Sequence, residues 1–202
     1  MSRIRSVPLD EFEPELRAML CAQEKSDREL RPSSIRAHHP EIAKAYVRFG
    51  AALKQFAVLP ARLRELVRLR IAFHNQCRSC MAMRYADAVD DGVTEELVCS
   101  LERPYEASDL TAAEKVALRF ADLLSTNHLA IDDALYKELG NNFNEQQIVE
   151  LGMVSALCVG FGRLSATWQM VEDLPERFRD ETATITPWGP DAWTTARSEV
   201  PH

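Results

Sequence analysis

Apolar residues recur along this chain three and four positions apart and rarely in strict alternation, and only seven of its 202 residues are glycine. Spacings of three and four place side chains on one face of a helix, whereas a half-buried strand needs a period of two. The pattern predicts an all-α fold, an antiparallel array of about eight helices. From about Asp10 to Gln23, the residues Phe12, Leu16, Met19 and Leu20 share one face, and Pro32-Ser33-Ser34 is expected to break the helical signal. Pro40 suits a first helical turn and precedes the stripe Ile42, Tyr46, Phe49, Leu53 and Phe56. Pro60 opens a helix through Leu66 and Ile71 that leads to Cys77, and the next helix is expected from Cys80 to Val89, ending before Gly92.

Thr94 caps a short helix, and Thr111 with Glu114 makes a capping box for one that runs to about Ser125. Another runs from Asp132 to Gly140, and Asn144 with Gln147 starts the last long one. Its segment 148–164 is apolar on nearly every side, the pattern of a buried central helix. The phenylalanines and tyrosines at helical spacing, and the isolated Cys21, Cys99 and Cys158, are expected in the core. Arg163, in so apolar a helix, needs a carboxylate or carbonyl partner if it is buried, and a structural or subunit-contact role is expected of it. Glu65-Leu66 and Glu150-Leu151 each open a long apolar helix, a weak internal repeat. Residues 1–175 are expected to form one helical domain. The irregular tail 176–202, with Trp188 and Trp193, is expected to pack on that domain or on a neighbouring subunit.

A net charge of −7 argues against a nucleic-acid surface, which wants a basic stripe. The N-terminal stretch lacks the apolar run of a signal peptide, and the nearly uncharged run 151–162 is shorter than the roughly 20 residues that span a bilayer. The expectation is a cytoplasmic protein with no membrane partner. Five cysteines in that setting do not suggest a structural disulfide framework, so a close pair points to redox or metal chemistry.

That pair is Cys77 and Cys80, inside ELVRLRIAFHNQCRSCMAMRYADAV. At i and i+3 of a helix their sulfurs reach disulfide distance, and the first turn of a helix favours a thiolate. Arg84, at i+4 from Cys80, would sit on the same face and stabilise that thiolate. His74 is either an ordinary helix-end histidine or a proton relay for the thiols. His74, Cys77 and Cys80 could together ligate zinc, but no second CxxC or histidine pair completes such a site, and no metal or cofactor is expected. Glu65, flanked by Arg62 and Arg68, reads on its own as a surface ion pair. Twelve residues along an ideal helix turn it about 120° away from Cys77.

The spacing of Glu65, eleven residues and then the CxxC of Cys77 and Cys80, resembles the carboxymuconolactone decarboxylase family in its alkylhydroperoxidase-D-like branch. The likeness covers roughly residues 39–169, including LPARLRELVRLRIA, TAAEKVALRFADLL and EQQIVELGMVSAL. It implies an all-helical fold assembled as a homo-oligomer, a trimer or hexamer. It also implies thiol peroxidase chemistry on hydrogen peroxide or organic hydroperoxides, with electrons from a dithiol donor such as a thioredoxin-like or lipoylated carrier. On that resemblance Cys80 attacks, Cys77 resolves and Glu65 acts as acid/base. The family motif has histidine four residues after its second cysteine, where this chain has Arg84. An arginine cannot take and return a proton as imidazole does. The alternatives are a lactone decarboxylase or other acid/base enzyme, which would not need the cysteines, and a non-catalytic oligomeric binding protein on the same fold.

Overall fold

The computed structural model describes residues 2–180 and 182–195. Among the described residues ten α-helices follow one another: α1 Pro14–Met19, α2 Asp27–Arg36, α3 Pro40–Gln55, α4 Ala61–His74, α5 Arg78–Ala82, α6 Ala86–Asp90, α7 Glu95–Cys99, α8 Ala112–Thr126, α9 Asp133–Gly140 and α10 Glu145–Trp168. The fold is all-α, with a helix count close to the eight expected. The sequence-level caps hold where side chains meet free backbone N–H groups. Thr94 accepts from Leu97 N–H, Asp132 from Leu135 N–H, and Thr111–Glu114 and Asn144–Gln147 form reciprocal capping boxes.

The main core lies between α4, α8, α9 and α10. Leu63, Leu66, Val67, Leu69 and Ile71 of α4 pack with Val116, Leu118 and Phe120 of α8, Leu135 and Leu139 of α9, and Leu151 of α10. The N-terminal segment builds a second cluster from Phe12, Leu16, Leu20, Leu30 and Ala43. A third, formed by Ala72, Met81, Ala82, Val171, Leu174, Phe178 and Ile185, has Cys80 packed at its edge. This last cluster fixes the dithiol loop between the end of α4 and the chain beyond α10.

Four expectations are corrected. Pro32 lies inside α2 rather than breaking the chain, because Ser26 and Glu29 form a capping box that starts the helix at Asp27. The proline forfeits one helical hydrogen bond, and the cap and the buried Leu30 and Ile35 outweigh that loss. The helix expected over 80–89 is two short ones, parted at Met83–Arg84 (β1), which pairs in parallel with Trp193–Thr194 (β2). The stripes of α3 and α10 are not buried: Ile42, Phe49 and Phe56, and Val149, Met153, Phe161 and Leu164, face outward. Tyr85, Tyr105 and Tyr136 are exposed too, as are Cys21 and Cys99. In length and composition α10 is long and apolar enough to cross a membrane, yet it packs on α4 and α8 here.

Candidate functional site

Two features end α4 and present the cysteines. Asn75 caps the helix, and its side-chain amide donates to the Cys158 carbonyl of α10 at 2.9 Å while its Oδ1 accepts from Arg163 Nε at 3.1 Å. This approach is so close that a Cβ on Gly162 would lie 2.6 Å from Asn75 Nδ2, so any larger residue there would have to displace the amide from its bonds to α10. Gln76 then takes a left-handed conformation (φ 49°) and turns the chain into Cys77, the N-cap of α5. Cys77 and Cys80 are joined as a disulfide, with Cα atoms 5.2 Å apart, inside the normal range. Cys77 is fully buried, whereas Cys80 is half-buried.

Helix α5 is only five residues long, and two buried arginines take up the carbonyls at its end. Arg68 donates to the Cys80 carbonyl at 2.6 Å and the Met83 carbonyl at 2.7 Å. Arg84 donates to the Met81 and Met83 carbonyls at 2.8 and 3.1 Å. Helix ends leave such carbonyls without intrahelical partners, so these guanidinium groups stand in for a C-cap. They also explain why the chain goes extended at Met83 instead of continuing the helix.

Glu65 is buried, not the surface residue its neighbours suggested. Its Oε2 and Oε1 accept from Arg68 Nε and Nη2, both at 2.7 Å, and Oε1 also accepts from Tyr85 N–H at 3.2 Å. Burial alone would disfavour the charge on Arg68, but the Glu65 carboxylate outweighs it and raises the guanidinium pKa. The structure therefore brings Glu65 to Cys80 through Arg68 and the peptide carbonyl. Arg62, the other flanking cation, pairs instead with Glu114 at 2.6 Å.

Arg84 departs from its expected place. All five of its N–H groups are engaged: by both Glu95 oxygens (2.8 and 3.0 Å), by the Met81 and Met83 carbonyls, and by the Pro187 carbonyl at 2.7 Å. None is left for a thiolate. The i+4 relation to Cys80 fails because α5 stops at Ala82 and Arg84 lies on β1. His74 likewise turns to another partner. Its Nε2 lies 2.7 Å from Asp122 Oδ1, and Arg70 Nε (2.6 Å) and the Tyr105 hydroxyl (2.6 Å) donate to the same carboxylate. Burial would push the Asp122 carboxyl up, but these hydrogen bonds hold it down at about 2. Arg163, which the apolar helix would have obliged to find a partner only if buried, is exposed, and it donates to Ser125 O and Asn75 Oδ1.

The C-terminal segment is the part of the site that sequence spacing did not mark. Gln76 exchanges hydrogen bonds with both backbone groups of Ile185, and Arg78 donates to the Asp180 and Ala183 carbonyls. Trp188 stacks on Phe73 with ring centroids 4.9 Å apart, and Thr195 N–H donates to the Arg84 carbonyl. The tail thus grips residues on both sides of the disulfide. Cys158 stands beside Arg68 and Glu65, its thiol pushed up to about 11 by burial, so it is no ready nucleophile.

A multi-helix fold with a CxxC disulfide beside a buried glutamate places the chain in a recognisable class. Residues 40–123 match the model of the Carboxymuconolactone decarboxylase family. This agrees with the family read from the sequence. The fold is similar to a crystal structure described as the alkylhydroperoxidase AhpD core of an uncharacterized peroxidase-related protein from Ralstonia eutropha JMP134. The TM-score is 0.66 at 18% identity, covering 88% of this chain and 94% of that one. An uncharacterized protein of Mycobacterium tuberculosis, MT2376 in one strain and Rv2313c in another, is 35% identical over 117 residues, 56% of this chain and 40% of the relative. This chain therefore spans less than half the length of those relatives. The uncharacterized protein YdfG of Bacillus subtilis is 27% identical over 103 residues, 50% of this chain and 70% of the relative.

Proposed function

We propose that the chain is a thiol-dependent oxidoreductase that reduces hydrogen peroxide or organic hydroperoxides through Cys77 and Cys80. The observation that supports this most is the disulfide itself, with one sulfur buried and the other half-open, beside the buried Glu65–Arg68 pair. In the reduced protein the Cys80 thiolate attacks the peroxide. An S–O bond forms, the O–O bond breaks, and the alkoxide or hydroxide leaves and takes a proton from water. The Cys77 thiol then attacks the Cys80 sulfenic acid, water departs and the disulfide closes. An external dithiol carrier returns two electrons and two protons.

Glu65 acts in this scheme through Arg68. Both its oxygens are engaged, so it serves to keep the guanidinium that holds the Cys80 carbonyl in place. The chain works as a homo-oligomer, in which the outward apolar faces of α3 and α10 pack between copies. Peroxide consumption with dithiothreitol as donor, compared between wild type and Cys80→Ser, tests the reading. Loss of all thiol-dependent turnover in Cys80→Ser is expected. Wild-type turnover without Cys80 would sink the dithiol mechanism and favour acid/base chemistry of the lactone decarboxylase kind.

A further inference from the structure

The two sulfurs of the disulfide are not equivalent. Cys77 is 0% exposed, whereas Cys80 is half-buried. A reducing thiolate must therefore approach Cys80, and Cys77 is the sulfur that leaves. Leaving sulfurs of low pKa depart faster, and burial raises a thiol's pKa unless something offers the thiolate a hydrogen bond. Ser79, between the cysteines, offers one: its Oγ lies 3.7 Å from Cys77 Sγ. In the disulfide that sulfur carries no proton, so the hydroxyl is the donor.

We propose that Ser79 is a catalytic residue of disulfide reduction, its hydroxyl donating to Cys77 Sγ as that sulfur leaves. The inference rests on the dithiol reading above and assigns a residue that reading does not use. A thiolate of an external dithiol attacks Cys80 Sγ. A mixed disulfide forms, the Cys77–Cys80 bond breaks, and its electron pair goes to Cys77, where Ser79 meets the new charge. The second thiolate of the donor then attacks the donor's own sulfur in the mixed disulfide, closing the donor's disulfide and releasing Cys80. The two protons of the donor end on Cys77 and Cys80. A cavity of about 70 Å³ with Gln76, Arg78, Ser79, Ser165 and Gln169 in its lining leaves room for water beside Ser79.

The test is reduction of the oxidised full chain by dithiothreitol across a pH series, read by alkylation of the freed thiols. A hydrogen bond to a charged group is worth more than a neutral one, so Ser79→Ala should slow reduction about fivefold at neutral pH. In a Cys80→Ser background it should also raise the pKa of the Cys77 thiol, and Ser79→Thr, which keeps the hydroxyl, should restore both. Unchanged rate and titration in Ser79→Ala would overturn the inference and leave the dithiol reading intact. Slower reduction without a titration shift, not rescued by threonine, would assign Ser79 a packing role and equally overturn it. If wild type forms no Cys77–Cys80 disulfide under mild oxidant, both readings fail together.

Discussion

Every side-chain N–H of Arg84 is engaged, two with the Met81 and Met83 carbonyls at the end of α5, one with the Pro187 carbonyl and two with Glu95. The side chain is therefore a structural clamp, and its replacement should be read as stability. Arg84→Ala removes one half of a buried ion pair whose other half, Glu95, is partly solvated, and it strands carbonyls that water reaches poorly. A loss of about 2–4 kcal/mol is expected in urea unfolding. The pH profile of Cys80 alkylation in the folded variant should stay where it is in wild type. A shifted profile would bring the guanidinium back to the thiolate. At this scale the spacing of Glu65 and the two cysteines carried the resemblance, but the burial of Glu65 was not legible, because Arg62 and Arg68 made it read as a surface pair. Nor was the place of Arg84, because i+4 means proximity only while the helix continues. Nothing in RSCMAMRY alone marks the stop at Ala82, where Arg68 of α4 joins Arg84 in taking up the carbonyls of Cys80, Met81 and Met83.

Among the elements, α4 carries most of the site on two of its faces. Glu65 and Arg68 look toward the dithiol, and Arg70 and His74 look toward Asp122 of α8. The second group ties α4 to α8 and to the loop of Tyr105, and its carboxylate makes that tie pH-dependent. Asp122 has a folded-state pKa of about 2 against the usual 3.8. A depressed carboxyl adds stability above its unfolded pKa and loses it as the pH falls. The thermal midpoint should therefore drop between about pH 4 and pH 2, and Asp122→Asn should flatten that part of the profile relative to wild type. Equal slopes in the two proteins would mean that other carboxylates carry the acid sensitivity. Helix starts were readable from the sequence because caps are local: Thr94, Thr111 and Asn144 cap as foreseen, and the helix foreseen from Asp132 has that residue as its N-cap. The start of α2 was equally local, at Ser26 and Glu29, but Pro32 drew the reading to a break instead. The pairing of β1 with β2 joins residues more than a hundred positions apart, and no local signal reports such a contact.

For the whole molecule, the decisive feature is an apolar helix that the chain does not bury. α10 was expected at the centre of the fold from its composition, yet few of its residues are buried, Leu151 in the main core and Trp168 against Ile35 among them. Val149 is 64% exposed, and Met153, Phe161 and Leu164 continue its stripe at helical spacing. On α3, Ile42 at 63%, Phe49 and Phe56 at 71% make a second stripe. The rings of Tyr46 and Phe161 lie 4.7 Å apart, so the two stripes meet at that point. Contiguous apolar surface of this kind marks an interface rather than a solvated face. A closed oligomer of identical chains meets the requirement, since each copy brings the same face. Wild type should therefore sediment above monomer mass at micromolar concentration. A charge at an exposed position leaves the monomer core untouched, so Val149→Glu combined with Ile42→Glu should give a folded monomer with an unchanged far-ultraviolet spectrum. If wild type is already monomeric, the surface serves something other than self-association. If the double variant still assembles, the subunits meet elsewhere.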